Sequence, residues 1–224
     1  MVAAHRLLGA ALCAVMGFQT GAFRTSFPTD GLDLRTVGEN PYFLLRPGFT
    51  LTFREAGKKN PTTLVITVLQ ETKAVGGIET RVVEERETRG TEIIEVSRNY
   101  FAIDDKTKDV YYLGEDVDLY KNGKINSHDG TWHHGTNGAT LGLMMPGRPV
   151  VGSRFYQEQA KGVAMDRVEI VSITDKAATP AGTFDRCVRI KESSPLEPLL
   201  RDYKVYAPGV GLVVDGDFQL VSYK

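Results

Sequence analysis

Thr179-Pro180-Ala181-Gly182-Thr183-Phe184, running into Asp185-Arg186-Cys187-Val188-Arg189-Ile190, is the first of two stretches that decide the fold. The second is Tyr203-Lys204-Val205-Tyr206, running into Ala207-Pro208-Gly209-Val210-Gly211-Leu212-Val213-Val214. Each sets a Pro/Gly turn beside a β-branched and aromatic run, the signature of an antiparallel strand boundary. The same grammar recurs toward the N-terminus. Phe49, Leu51 and Phe53 alternate with Thr50, Thr52 and Arg54, the two-residue period of a half-buried strand. Residues 62–71 are rich in β-branched side chains, Gly76-Gly77 marks a turn, and in residues 78–89 Ile78, Thr80, Val82 and Glu84 alternate with Glu79, Arg81, Val83 and Glu85. Gly90 precedes a run at 92–103, and strands at 110–113 and 116–120 lead into Lys121-Asn122-Gly123-Lys124. Asn-Gly between alternating runs is the strongest short hairpin signal, because both residues tolerate positive φ.

Further strands are expected at 153–159, 165–175, 184–192, 202–206, 212–214 and 218–221. The total is roughly eleven strands with little helix and no strand–helix rhythm of a parallel sheet. The expected fold is therefore mainly β: a single strongly curved antiparallel sheet, a half-barrel or open barrel, over residues 40–224. Residues 23–39, with Pro28, Gly31 and Gly38, read as a flexible N-terminal tail. The charge run Glu84-Glu85-Arg86-Glu87 reads as a solvated face or protected edge. Residues 126–152 read as one long irregular loop holding Trp132 and three histidines, and such loops are often functional.

Residues 1–22 carry Arg6, an uncharged apolar run over 7–18 and Thr20-Gly21-Ala22. That run has the length of a signal-peptide core and is too short to span a bilayer. The expectation is a secreted or periplasmic protein, cleaved near Ala22, with no transmembrane segment in the mature chain. Of the 27 basic residues, cleavage removes only Arg6, and none of the 28 acidic residues is lost. A nearly neutral mature chain argues against nucleic acid or anionic membrane as a general partner. Cys187 then stands alone, so a disulfide cannot form within the chain and a core must hold the fold. The simplest place for that thiol is inside the core.

Pro180-Ala181-Gly182-Thr183-Phe184 and Tyr206-Ala207-Pro208-Gly209-Val210-Gly211-Leu212-Val213 resemble segments of an exported bacterial β-domain family. Its sheets are similar to the lipoprotein-carrier (LolA/LolB-like) half-barrels. Asn40-Pro41-Tyr42-Phe43 with Arg46-Pro47-Gly48, Gly114-Glu115-Asp116-Val117, and Met145-Pro146 before Val151-Gly152 extend the resemblance over most of residues 40–221. The resemblance implies a concave face that shelters acyl chains, hence a lipid or other amphipathic small molecule as partner. The chain departs from that plan in having no helix suited to be a lid.

The polar residues Tyr156, Glu158, Glu192, Glu197 and Lys204 lie in or beside apolar strands, and with Trp132 they are the candidate ligand-binding set. They bind only if they face the concave side; facing out, they are ordinary surface. His128, His133 and His134, next to Asp129, offer imidazole and carboxylate suited to Zn or Cu. Adjacent His133 and His134 point to opposite faces if extended, so the spacing is poor. Glu115, Asp116 and Asp118, and Asp215 with Asp217, lack calcium-loop spacing. No GxSxG elbow, phosphate loop or zinc-protease motif is present. The leading expectation is non-enzymatic binding of an apolar or amphipathic small molecule without a cofactor. The alternatives are a metal-binding protein or metal-dependent enzyme using the 128–134 loop, and a structural envelope protein acting through its surface.

Overall fold

A computed structural model describes residues 21–199 and 201–224; the apolar leader and Cys13 lie outside the described residues. Strands β1 (Leu34–Arg35), β2 (Gly38–Asn40) and β3 (Phe43–Leu45) are short. The long meander follows: β4 (Thr50–Glu55), β5 (Thr62–Val75), β6 (Ile78–Arg89), β7 (Glu92–Asp104) and β8 (Val110–Lys121). Next come β9 (Lys124–Ser127), β10 (Trp132–His133), β11 (Thr140–Met145), β12 (Arg154–Tyr156) and β13 (Glu158–Gln159). The chain ends with β14 (Arg167–Thr179), β15 (Gly182–Ser193), β16 (Asp202–Ala207), β17 (Gly211–Asp215) and β18 (Phe218–Tyr223).

Sixteen of these strands form one antiparallel sheet, in the order β12-β14-β15-β16-β17-β18-β4-β5-β6-β7-β8-β11-β13, with β1 on β7 and β9 and β10 on β8. The expected mainly-β, strongly curved sheet is what the chain forms. The strand count exceeds the expected eleven because two- and three-residue strands carry no readable alternation. The Asn122-Gly123 hairpin is present, both residues having positive φ. Residues 126–152 are more regular than expected, because β10 and β11 pair with β8 inside that stretch. The apolar Met144-Met145 run hides its alternation there.

The sheet nearly closes on itself. Its two terminal strands, β12 and β13, belong to one continuous segment separated by Gln157 alone. β12 pairs with β14 and β13 pairs with β11, so the chain steps from one end of the sheet to the other within six residues. Gln157 Nε2 donates to Met144 O at 2.9 Å and Gln159 Nε2 to Leu141 O at 2.8 Å, fastening the seam. Gly142 makes room for it: a Cβ there would sit 2.2 Å from Gln157 O. Glycine within a strand often marks such a close backbone approach. Gly142→Ala is therefore expected to open the seam, costing about 2 kcal/mol or more and lowering the chemical-denaturation midpoint; an unchanged midpoint would show that the seam yields freely.

The 23–39 stretch runs along the wall. Leu34 and Arg35 pair with Asp104 and Ile103, and the buried Arg81 guanidinium donates to Thr36 O at 3.0 Å. Cys187 is fully buried, and burial pushes its thiol pKa up, as for an inert core residue.

Candidate functional site

Side chains directly opposite one another on paired strands share a face, so the register sorts inside from outside. One inward row is Leu51, Ile66, Glu85, Ser97 and Val117. Another is Ile190, Lys204, Asp215, Phe218 and Glu55. The interior is thus apolar in part and charged in part. Glu85 sits on the same strand face as Val83 and Glu87, and Glu87 stands directly opposite Glu95. Glu84 and Arg86 face outward and pair with each other at 3.2 Å. The charge run read as a solvated face is therefore split: half of it lines the lumen, because a two-residue period sends alternate side chains inward whatever their polarity.

Lys204 is the cation at the centre of this wall. Its Nζ lies 2.9 Å from Glu192 Oε2 and 3.6 Å from Asp215 Oδ1. Burial works against its charge, but Asp215 and Glu192 outweigh it and hold the lysine well above its ordinary range. Carboxyls greatly outnumber it. Burial pushes Glu85 up to about 8, Lys204 pulling it down only in part. Burial likewise takes Glu115 to about 7, against the opposing pull of the Tyr112 hydroxyl and the Trp132 indole. Glu158 is raised well above the carboxylate range by burial and by Glu115, and Asp166 and Asp215 are raised chiefly by burial. These groups keep some water-accessible surface although protein encloses them, as the wall of a hydrated lumen does.

Among the described residues two buried donors on this wall lack a protein partner: Tyr206 Oη and Trp132 Nε1, the latter beside Glu115 but outside hydrogen-bond geometry. Such groups ordinarily find a partner. A partly open pocket of about 90 Å³ has Phe101, Val83 and Leu212 in its apolar wall and Glu85, Lys204 and Asp215 at its polar edge. An open cleft of about 860 Å³ lies on the other side of Glu85 and Asp215, which belong to both walls. A short apolar pocket thus meets open space across a carboxylate–lysine girdle.

Of the candidate ligand-binding residues, the fold brings Trp132, Glu158, Glu192 and Lys204 to this interior. Tyr156 sits at the outer end of the seam, where its hydroxyl accepts from Arg167 at 3.3 Å and its ring meets Phe23 edge-on. Glu197 is exposed in the loop after β15, near enough to Asp166 to help push its pKa up. Glu85, Glu95, Glu115, Asp166 and Asp215 share this interior although they lie outside the expected ligand-binding set. The signal for Glu85 is its place on the same strand face as buried Val83; no such signal marks Asp166.

The histidines do not converge. His128 Nδ1 lies 2.8 Å from Asp118, while Asp129 is exposed on the same loop. His134 Nδ1 accepts from Leu141 N at 3.2 Å. His133 Nε2 meets Asp116 at 2.8 Å on the outer face, where Lys73 and Tyr100 also donate to Asp116. Burial would raise the Asp116 pKa, but the Lys73 and Tyr100 hydrogen bonds outweigh it and hold the carboxylate below its usual range. That quartet ties β5, β7, β8 and β10 together. Among the described residues no group of three or more His, Cys, Asp or Glu is placed to hold a metal ion, and no helix is long and apolar enough to cross a membrane.

The class defined by this geometry is a nearly closed antiparallel β-sheet with a mixed apolar and acidic interior. No family model, curated protein or solved structure matches the chain, so the resemblance to lipoprotein carriers extends only to the curved, half-barrel-like sheet.

Proposed function

We propose that this chain is an exported, non-enzymatic binding protein that holds an amphipathic small molecule with a cationic group inside its curved sheet. The observation that carries this reading is the Glu85–Lys204–Asp215 girdle between an apolar cavity and an open cleft. Ligand sites pair apolar walls with a few placed polar groups. The cavity of about 90 Å³ fits a short apolar tail. The surplus of carboxyls over Lys204 favours a positive head group, whose arrival would draw protons off Glu85 and Glu115. Export rests on the apolar leader at residues 7–18.

Trp132, the sole tryptophan, reports on the wall beside Glu115. Titration with hexylammonium is expected to shift its emission, with binding about tenfold tighter at pH 8.5 than at pH 6, since ionised carboxyls attract the cation. Hexanoate and hexanol are the controls. Equal binding of all three, or an emission spectrum that none of them moves, would remove the cationic amphiphile from consideration. Native mass spectrometry of protein from its source then identifies the natural ligand.

A further inference from the structure

A second cleft, of about 520 Å³, lies beside the seam and shares no lining residue with the acidic cavity or the open cleft. Its floor is apolar: Leu143 of β11 and Phe155 of β12, both 4% exposed. Its rim carries four cations drawn from separate segments: Arg24, Lys106, Arg148 and Arg154. Arg24 is placed by backbone pairing with β12, its N–H donating to Arg154 O at 2.9 Å and its carbonyl accepting from Tyr156 N at 3.0 Å. Lys106 comes from the β7–β8 turn and Arg148 from the loop between β11 and β12.

The charges in this rim are poorly balanced. Arg154 is paired with Glu169 at 2.9 Å, and Arg24 Nε donates to Ser26 O. The one carboxylate in the lining, Asp109, accepts from Gly147 N at 2.8 Å. Among the described residues neither the Arg148 guanidinium nor the Lys106 ammonium has an ion-pair partner. Like charges gathered around a concave, partly apolar surface repel one another, and an anion seated among them offsets that repulsion. Arg in particular suits bidentate recognition of phosphate, sulfonate or carboxylate. The volume falls in the ordinary range for small-molecule sites.

We propose that this cleft binds an anionic group, phosphate or a similar oxyanion, carried on an apolar or aromatic body, with Arg148 and Lys106 gripping the anion and Leu143 and Phe155 bearing the body. This site is independent of the interior and opposite to it in sign. The source of the anion is either a free small molecule or an anionic lipid headgroup.

Isothermal titration of the full chain with 1-naphthyl phosphate distinguishes the sources when paired with flotation on phosphatidylglycerol and phosphatidylcholine vesicles. Binding of the soluble phosphate is expected, and K106E/R148E is expected to weaken it at least about tenfold, the size of a lost charge-assisted contact. K106R/R148K should stay within about threefold of the original. Both altered side chains are exposed, so circular dichroism and melting should be unchanged. Capture by phosphatidylglycerol vesicles alone, abolished by K106E/R148E, would support the same chemistry and identify a lipid headgroup. Unaltered binding by K106E/R148E, equal binding of 1-naphthol and its phosphate, or no binding in either arm would each overturn the proposal.

Discussion

Replacing Lys204 by methionine is expected to cost about 3–5 kcal/mol of stability at pH 8, the usual penalty for removing one partner of an enclosed ion pair. For a domain of this size that is a fall of roughly 10 °C in Tm. The reason is the company the lysine keeps. Glu192 at 2.9 Å and Asp215 at 3.6 Å lose their counter-charge, and Glu85 loses the cation that pulls its pKa down. Methionine preserves most of the side-chain volume, so packing contributes little to the loss. Lys204→Arg should recover much of it. The deficit should also shrink at pH 5, where Glu85, raised to about 8, holds its proton and no longer needs the cation. A Lys204→Met protein that melts within about 2 °C of the original at pH 8 would show that water in the lumen already screens these charges.

Stability should fall as the pH rises from 5 to 8.5, the reverse of the usual pattern for a protein rich in carboxylates. Glu85 moves from an ordinary 4.5 up to about 8 on folding and Glu115 from 4.5 to about 7. A raised carboxyl pKa means the folded protein holds the proton more tightly than the unfolded chain. Its stabilising effect is complete below pH 4.5 and is lost as the pH climbs through the folded value. The slope is up to about 1.4 kcal/mol per pH unit for each group, from 4.5 to 8 for Glu85 and to 7 for Glu115. At the acid end Asp104 and Asp175 act oppositely. Burial raises Asp104, but hydrogen bonds led by that from Thr107 N–H depress it; Asp175 is depressed chiefly by Arg189. Their contribution is lost as the pH falls through their lowered values. Maximum stability is therefore expected near pH 5, with Tm at least about 5 °C higher there than at pH 8.5. Glu85→Gln should flatten the slope and raise Tm at pH 8.5. A Tm that is level or rising between pH 5 and 8.5 would sink this account.

Much of this architecture is legible in the chain. Alternation at 49–54 and 78–89, the Asn122-Gly123 turn and the Pro/Gly strand openings at 179–184 and 206–213 all mark antiparallel strands, and each stands at or beside one. Local backbone preference and side-chain period act over a few residues, so a few residues suffice to reveal them. The candidate site is legible only in fragments. Glu192 and Lys204 stood out as polar residues in apolar strands. Glu85 sat in a charge run that the same period splits between two faces. Nothing near Asp166 or Tyr156 indicates that one faces the interior and the other the outer surface. The three histidines, clustered over seven residues, end on separate partners because β10 turns His133 toward Asp116 while His134 bonds back to Leu141.

The sequence by itself determined the longer strands, their antiparallel character and the presence of charged residues within apolar strands, because these follow from neighbours along the chain. Only the tertiary structure decided that β12 and β13 carry one segment across both ends of the sheet. That closure gives the sheet an inside, brings Glu158 and Asp166 from the seam to the same interior as Glu115 and Lys204, and gathers Arg24, Lys106, Arg148 and Arg154 around a second cleft beside the seam. Charge proximity between residues far apart in sequence depends on register and curvature, and those are set by packing across the whole sheet.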